Sequence, residues 1–418
     1  MQSILFIFYL LLFSWLITVI PFFKKTGLNK WVLISLFLLK VAAGFVYAKY
    51  YALPQNIANA DTWHFYTASL KEKDWLLRDP AGFIKDYFHS PYQQSSNLFT
   101  GSSSYWNDLD YNTFVKGLAV VNVITGSNYY TDLLLLNFMF FAGPVALFRL
   151  AKPFWKYNKL LLLVPIFLLP SFLFWCSGLH KDGLIFTCIT ICLFCLHKQL
   201  VRNKFMLLHT AIILVSFLAL FALRNVILLL LIPALSAYSL AYKKPHFAWY
   251  YFGGIYLAGG MLFFLLPHFF SSLHFPQYIV TKQQEFNALD GNSKVNLPIL
   301  QPSFSSFAHF FPYAFDLLFF RPHVGELKNT NYVIAFLENT FFLILAIASL
   351  LFQKINRRIP PLLLFFLFFS VSVLLLCGYT VSFVGAIVRY KSLALPFLSL
   401  FFILSISNRL LYFLKLIK

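Results

Sequence analysis

Apolar runs long enough to cross a lipid bilayer recur along this chain, and that recurrence decides its fold class. A helix needs about 17 to 25 apolar residues to cross roughly 30 Å of hydrocarbon. Runs of that size fall near 3–23, 31–52, 130–150, 159–176, 184–197, 205–223, 226–242, 248–270, 332–353, 360–378 and 391–412. They are read as helices because lipid offers the backbone no hydrogen-bond partner and the period-2 alternation of a membrane barrel is missing. The expectation is an all-α, polytopic transmembrane helix bundle of about 11 spans, a single integral membrane domain over 1–418.

Composition agrees. With 60% hydrophobic and 11% charged residues, polar surface is too scarce to coat a soluble globule. A net charge of +19 admits a nucleic-acid binder, but the Lys and Arg residues are scattered through short loops instead of forming one stripe, which argues for no nucleic acid. The five cysteines, Cys176, Cys188, Cys192, Cys195 and Cys377, sit inside apolar runs and are read as small buried hydrophobes. Residues 1–23 lack a basic n-region and a small-x-small cleavage site, so they are read as the first span.

Loop charge sets the expected orientation. One set of loops carries Lys24, Lys25 and Lys30; Lys152, Lys156 and Lys159; Lys198, Arg202 and Lys204; Lys243 and Lys244; Lys354, Arg357 and Arg358; and Lys415 and Lys418, with no Asp or Glu. The other set holds the loop carboxylates, among them Asp61, Glu72, Asp86, Asp110, Asp182, Asp290, Asp316 and Glu326. By the positive-inside rule the first set is cytoplasmic and the N-terminus is outside. Two long outer segments, 53–129 and 271–331, are expected to carry interfacial amphipathic helices such as 79–88 and 306–320.

Several outer polar residues could carry chemistry. Asp61 opens the first long loop, close to the membrane surface. A carboxylate there can act as a general base or help hold a divalent cation beside a phosphate, and it can equally cap the amphipathic helix that follows. His64 and Tyr66 are supporting candidates. The short link Ser177-Gly178-Leu179-His180-Lys181-Asp182-Gly183 is unusually polar: Lys181 suits a phosphate and His180 can exchange a proton, while the alternative is a solvated helix cap with Asp182 starting the next helix. Arg389, Tyr390 and Arg224 lie at outer span ends, where an arginine can grip phosphate through two donors or simply snorkel. Arg321 precedes a span that carries Glu338, read as the ion-pair partner of an arginine or as a packing polar group, and Lys40 falls mid-span, facing the bundle. No zinc-ligand spacing, Gly-rich nucleotide loop or Gly-x-Ser-x-Gly elbow occurs.

Asp61 with Trp63-His64-Phe65-Tyr66, the segment Trp175 to Gly183, and Arg389-Tyr390-Lys391 together resemble the GT-C superfamily of membrane glycosyltransferases, and are also similar to bacterial O-antigen and exopolysaccharide polymerases. The resemblance implies a polyprenyl-phosphate- or diphosphate-linked sugar donor, a glycan or lipid acceptor, and a site on the periplasmic or exterior face of a bacterial inner membrane. It implies Asp61 as catalytic base, and Arg389, Lys181, Arg224 and His180 as the groups that bind the departing phosphate. A divalent cation, Mg or Mn, is open, with Asp61 as its one candidate ligand. Many GT-C enzymes carry an acidic pair in this loop, whereas Asp61 has no acidic neighbour in sequence. A transporter or flippase for a lipid-linked or anionic solute is the alternative from another class; it calls for repeats and broken helices with midplane polar groups. A membrane assembly factor without activity is the third.

Overall fold

The computed structural model describes residues 2–57, 60–88, 105–270, 273–352 and 359–406; Asn59, the loop 89–104, Lys354, Arg357, Arg358, Lys415 and Lys418 lie outside the described residues. Those residues are overwhelmingly helical. In chain order the helices are α1 (Gln2–Val19), α2 (Pro21–Lys24), α3 (Lys30–Tyr51), α4 (Asp61–Arg78), α5 (Pro80–Asp86), α6 (Tyr105–Thr125), α7 (Tyr129–Ala151), α8 (Leu163–Phe167) and α9 (Pro170–Trp175). They continue with α10 (Lys181–Arg202), α11 (Leu207–Lys243), α12 (Ala248–Phe269), α13 (Phe275–Ala288), α14 (Phe304–Phe319), α15 (Thr330–Leu351), α16 (Pro361–Thr380), α17 (Val384–Lys391) and α18 (Leu395–Ser405). Among the described residues there is no strand, only an isolated antiparallel bridge between Lys294 and Phe383.

Eight of these helices are long and apolar enough to cross a membrane, or nine if the bent pair α17 and α18 is one span. Outward-facing Leu11, Trp15, Leu218, Leu257, Met261 and Ile344 are exposed along them. Such faces need lipid as their solvent, so the chain is an integral membrane protein. The count differs from the expected eleven in two places. The run at 159–176 is broken into short helical pieces, because Pro165 and Pro170 each remove a backbone donor and crowd the preceding turn. The runs at 205–223 and 226–242 are the two halves of α11, 37 residues in all, which meet at a kink where Arg224, with φ −164° and ψ 73°, is not helical.

The chain divides into two compact units, Met1–Pro153 with Leu173–Leu228, and Phe154–Phe172 with Leu229–Lys418. In the first, α7 is the central helix. Asn128 caps it by accepting from the N–H groups of Tyr130 and Thr131, and the preceding turn uses positive φ at Gly126 and Ser127. Buried Leu133, Leu134, Phe140, Phe141 and Phe148 form its core face.

Helix α10 runs parallel to α7. Asn137 Nδ2 donates to the Ser177 carbonyl at 2.8 Å, Thr187 Oγ1 to the Phe140 carbonyl at 3.2 Å, and Arg149 stacks 4.5 Å from the Phe194 ring. The first half of α11 is antiparallel to α10: Gln199 Nε2 donates to Thr210 Oγ1 at 2.8 Å near one end, and Arg224 meets Asp182 at the other.

The first long loop is a helical hairpin in which α4 packs along α6. Lys116 of α6 reaches Glu72 at 2.7 Å and Asp86 at 2.9 Å, and its ammonium lies 4.2 Å from the centre of the Phe83 ring. The expected interfacial stretch at 79–88 is α5, with Phe83 buried and Ile84 and Phe88 exposed.

In the second unit α16 and α18 pack through Phe365, Phe366, Phe369 and Phe397. The expected stretch at 306–320 is α14, which buries Phe307, Phe310, Leu317 and Leu318 and exposes Phe304, Phe311 and Phe315. An outward aromatic face of that kind suits the lipid headgroup boundary.

Candidate functional site

The segment 176–183 is locked before any of its side chains does chemistry. Buried Lys40 of α3 donates to Ser177 Oγ at 3.1 Å and to the Cys176 carbonyl, so the mid-span lysine faces the protein interior as expected. Thr62 Oγ1 of α4 donates to the Leu179 carbonyl at 3.0 Å. Glycine is required where helices come this close. A Cβ on Gly178 would stand 2.4 Å from Tyr47, and one on Gly183 would stand 2.4 Å from Phe140 and 2.7 Å from the Cys176 carbonyl.

On this support sits a line of four charged or titratable groups. His180 Nε2 faces Asp61 Oδ2 at 3.5 Å, His180 Nδ1 faces Asp182 Oδ2 at 3.3 Å, and Arg224 Nη1 lies 3.7 Å from Asp182 Oδ1. The side chains of His180 and Asp182 are 0% and 1% exposed, whereas that of Asp61 is 50% exposed. The middle of the line is therefore buried and both ends reach the surface, Asp61 at one and Arg224, 26% exposed, at the other. His180 also caps α10, its Nδ1 accepting from the Asp182 N–H at 3.4 Å, so the capping alternative for this link is part of its geometry. Phe65 and Phe114 pack together on one side of the ring, with centroids 5.6 and 6.4 Å away.

Asp61 itself does not cap α4. The N-cap is Ala60, with no side-chain capping bond, and Asp61 is the first helical residue. A carboxylate at that position is favoured by the helix dipole and leaves an oxygen exposed. His64 lies one turn further along the same exposed face. Tyr66 turns inward, donating to the Ser127 carbonyl at 2.8 Å. Burial, with the Asp132 carboxylate adding to it, holds its phenol above the ordinary tyrosine range, which keeps it a donor.

Lys181 is ion-paired with Asp110 of α6. Nothing in the sequence pointed to Asp110, because a partner 71 residues away leaves no local pattern. Thr62 and Tyr129, whose hydroxyls meet at 2.7 Å beneath the loop, were missed for the same reason.

The remaining candidates belong to the second unit. Arg389 is near the end of α17, its guanidinium 5.6 Å from the centre of the Tyr390 ring, and Tyr390 meets Phe286 edge-on at 6.3 Å. Arg321 is engaged by Asp316 at 3.0 Å and by Glu326 at 2.6 Å, with His323 also on Asp316 at 2.9 Å. Glu338 takes the Ser171 N–H and hydroxyl at 3.1 and 3.0 Å in place of the arginine expected for it. The fully buried cation of this region is Lys391, which donates to Asn339 Oδ1 and, at 3.3 Å, to the Leu318 carbonyl.

For a divalent cation the donor set is thin. Asp61 and Asp182 face opposite nitrogens of one imidazole, and among the described residues no three His, Cys, Asp or Glu side chains group as a metal requires.

The fold and this cluster define an integral membrane protein with a line of polar groups, buried at its centre, that opens on the accessible Asp61 carboxylate and the partly exposed Arg224. No family model, curated protein or solved structure matches the chain.

Proposed function

We propose that the chain is a membrane glycosyltransferase that takes a sugar from a polyprenyl-phosphate or polyprenyl-diphosphate carrier on the non-cytoplasmic face, in cell-surface polysaccharide or glycoconjugate synthesis. An exopolysaccharide or O-antigen polymerase is the same chemistry with a growing glycan as acceptor. The observation that carries the reading is the half-exposed Asp61 carboxylate, backed by the buried His180 ring at 3.5 Å. The acceptor hydroxyl attacks the anomeric carbon, the bond from that carbon to the carrier phosphate breaks, and the hydroxyl proton passes to Asp61. The phosphate leaves with its bonding electron pair, and Lys181, in exchange with Asp110, supplies the nearby positive charge.

Topology supports an outer site. The reading takes the eleven crossings expected from hydropathy, an odd number. The basic loops then face the cytoplasm, and Asp61, Asp110, Lys181 and Arg224 face outward.

The test is transfer by purified protein in vesicles containing lipid-linked sugar. Asp61→Asn lowers turnover by about 100-fold or more, whereas turnover equal to wild type removes Asp61 from the chemistry.

One observation favours a second reading. Arg224 interrupts α11 while ion-paired to a buried carboxylate, and broken helices with buried charge are features of transporters. Movement of the lipid-linked donor across the vesicle bilayer without sugar transfer would select the flippase.

A further inference from the structure

We infer that Asp182 and Arg224 form a positioning pair that fixes His180 and, through its Nε2 edge, sets the orientation of Asp61; this rests on the transferase reading above. On sequence grounds Arg224 is a phosphate-binding candidate and Asp182 a helix starter, but the geometry gives them another task. Asp182 reaches the Nδ1 edge of the ring by one of two alternative contacts: its backbone N–H donates to an unprotonated Nδ1 at 3.4 Å, or a protonated Nδ1 donates to its Oδ2 at 3.3 Å. Its other oxygen faces the Arg224 guanidinium at 3.7 Å. The guanidinium is thereby directed inward, at a carboxylate only 1% exposed.

The pair is built on backbone that has little freedom to shift. Gly183 follows Asp182 directly and is pressed against Phe140 and the Cys176 carbonyl. Phe65 and Phe114, themselves 5.1 Å apart, cover one side of the ring, and Asp182 stands at its Nδ1 edge. Arg224 sits where α11 abandons helical geometry, so its side chain leaves the helix at a point where the backbone can direct it to Asp182.

The physical logic is that of an orienting group behind a reactive one. A half-exposed carboxylate left alone samples several rotamers, and only some point an oxygen at an acceptor hydroxyl. A buried imidazole held from behind restricts that choice without touching substrate. Removing such supporting contacts typically lowers activity 10- to 100-fold.

The experiment combines kinetics with a spectroscopic signal from the ring. Protein labelled with 15N-histidine is reconstituted in lipid nanodiscs, and the His180 resonances are assigned by their loss in His180→Gln. Asp182→Asn and Arg224→Gln are expected to shift the His180 ring nitrogens, and Asp61→Asn to shift the Nε2 signal. In transfer assays Asp182→Asn lowers kcat by about 100-fold with KM within about twofold, and Arg224→Lys, which keeps a cation, recovers most of the activity lost in Arg224→Gln. Ring signals that ignore Asp182→Asn and Arg224→Gln, with both variants folded by size-exclusion chromatography, would overturn the proposal. A change in KM alone would overturn it as well, returning Arg224 to direct substrate binding. If neither wild type nor variants transfer sugar but the ring responds to all three substitutions, the transferase reading fails and the positioning pair stands.

Discussion

His180 presents Nε2 to the Asp61 carboxylate at 3.5 Å while its own side chain is wholly buried, so the inner edge of an accessible acid is held by a group that solvent does not reach. That pairing joins the first long loop to the link between α9 and α10, two regions far apart in sequence. It turns two separate candidates into one site.

The pairing predicts a separation of activity from stability at Asp61. Its side chain is half exposed and supplies no helix cap, so Asp61→Asn shifts the thermal unfolding midpoint in detergent by no more than a few degrees while transfer falls by about 100-fold or more. Loss of folded protein in size-exclusion profiles would instead assign Asp61 a structural task.

The close packing beneath the site predicts the reverse pattern at Gly183. Gly183→Ala drives a Cβ to 2.4 Å from Phe140 and costs about 1–3 kcal/mol of stability by overpacking. Gly253→Ala in α12, where an added Cβ meets nothing within 4 Å, is neutral or slightly stabilising, by about 0.5–1 kcal/mol at most. Thermal unfolding of the two variants side by side is the measurement.

Buried polar groups in the second unit predict coupling. Lys391→Met leaves Asn339 Oδ1 and the Leu318 carbonyl without their ammonium donor and costs about 3 kcal/mol. Adding Glu338→Gln to Lys391→Met costs less than the two single changes summed, because the carboxylate charge that Lys391 attracts is gone. A double-mutant cycle on unfolding midpoints reads the difference, and strict additivity would show that the two groups do not interact.

Orientation has its own test. The native cysteines are free and buried, so single introduced thiols can be read against a quiet background. In sealed vesicles of known orientation, Lys71→Cys reacts with an impermeant maleimide from the outside and Lys156→Cys only from the inside. Labelling of both from one side would refute the crossing of α7 between them, and the reverse pattern would refute the outward placement of the acidic loops.

Hydropathy made the helical membrane class legible, since a run of apolar residues reports directly on its solvent. The amphipathic helices α5 and α14 were equally readable, because amphipathic spacing is local. What the sequence hid was pairing across distance. It held no sign that Lys181 would meet Asp110, that Glu338 would turn to Ser171, or that His180 would join Asp61 to Asp182. A hydropathy window also reads past proline, so it showed 159–176 as one smooth span where Pro165 and Pro170 break the helix. It split α11 at Arg224, where the backbone does leave helical geometry, but it could not show the arginine directed at a buried acid.

The most direct test of the central claim is cryo-electron microscopy of the protein in nanodiscs with a non-transferable polyprenyl-diphosphate sugar. The account predicts the sugar's anomeric centre beside the exposed edge of Asp61, with the phosphate close to Lys181. Lipid phosphate density at another site, with Asp61 facing only solvent or protein, would contradict it.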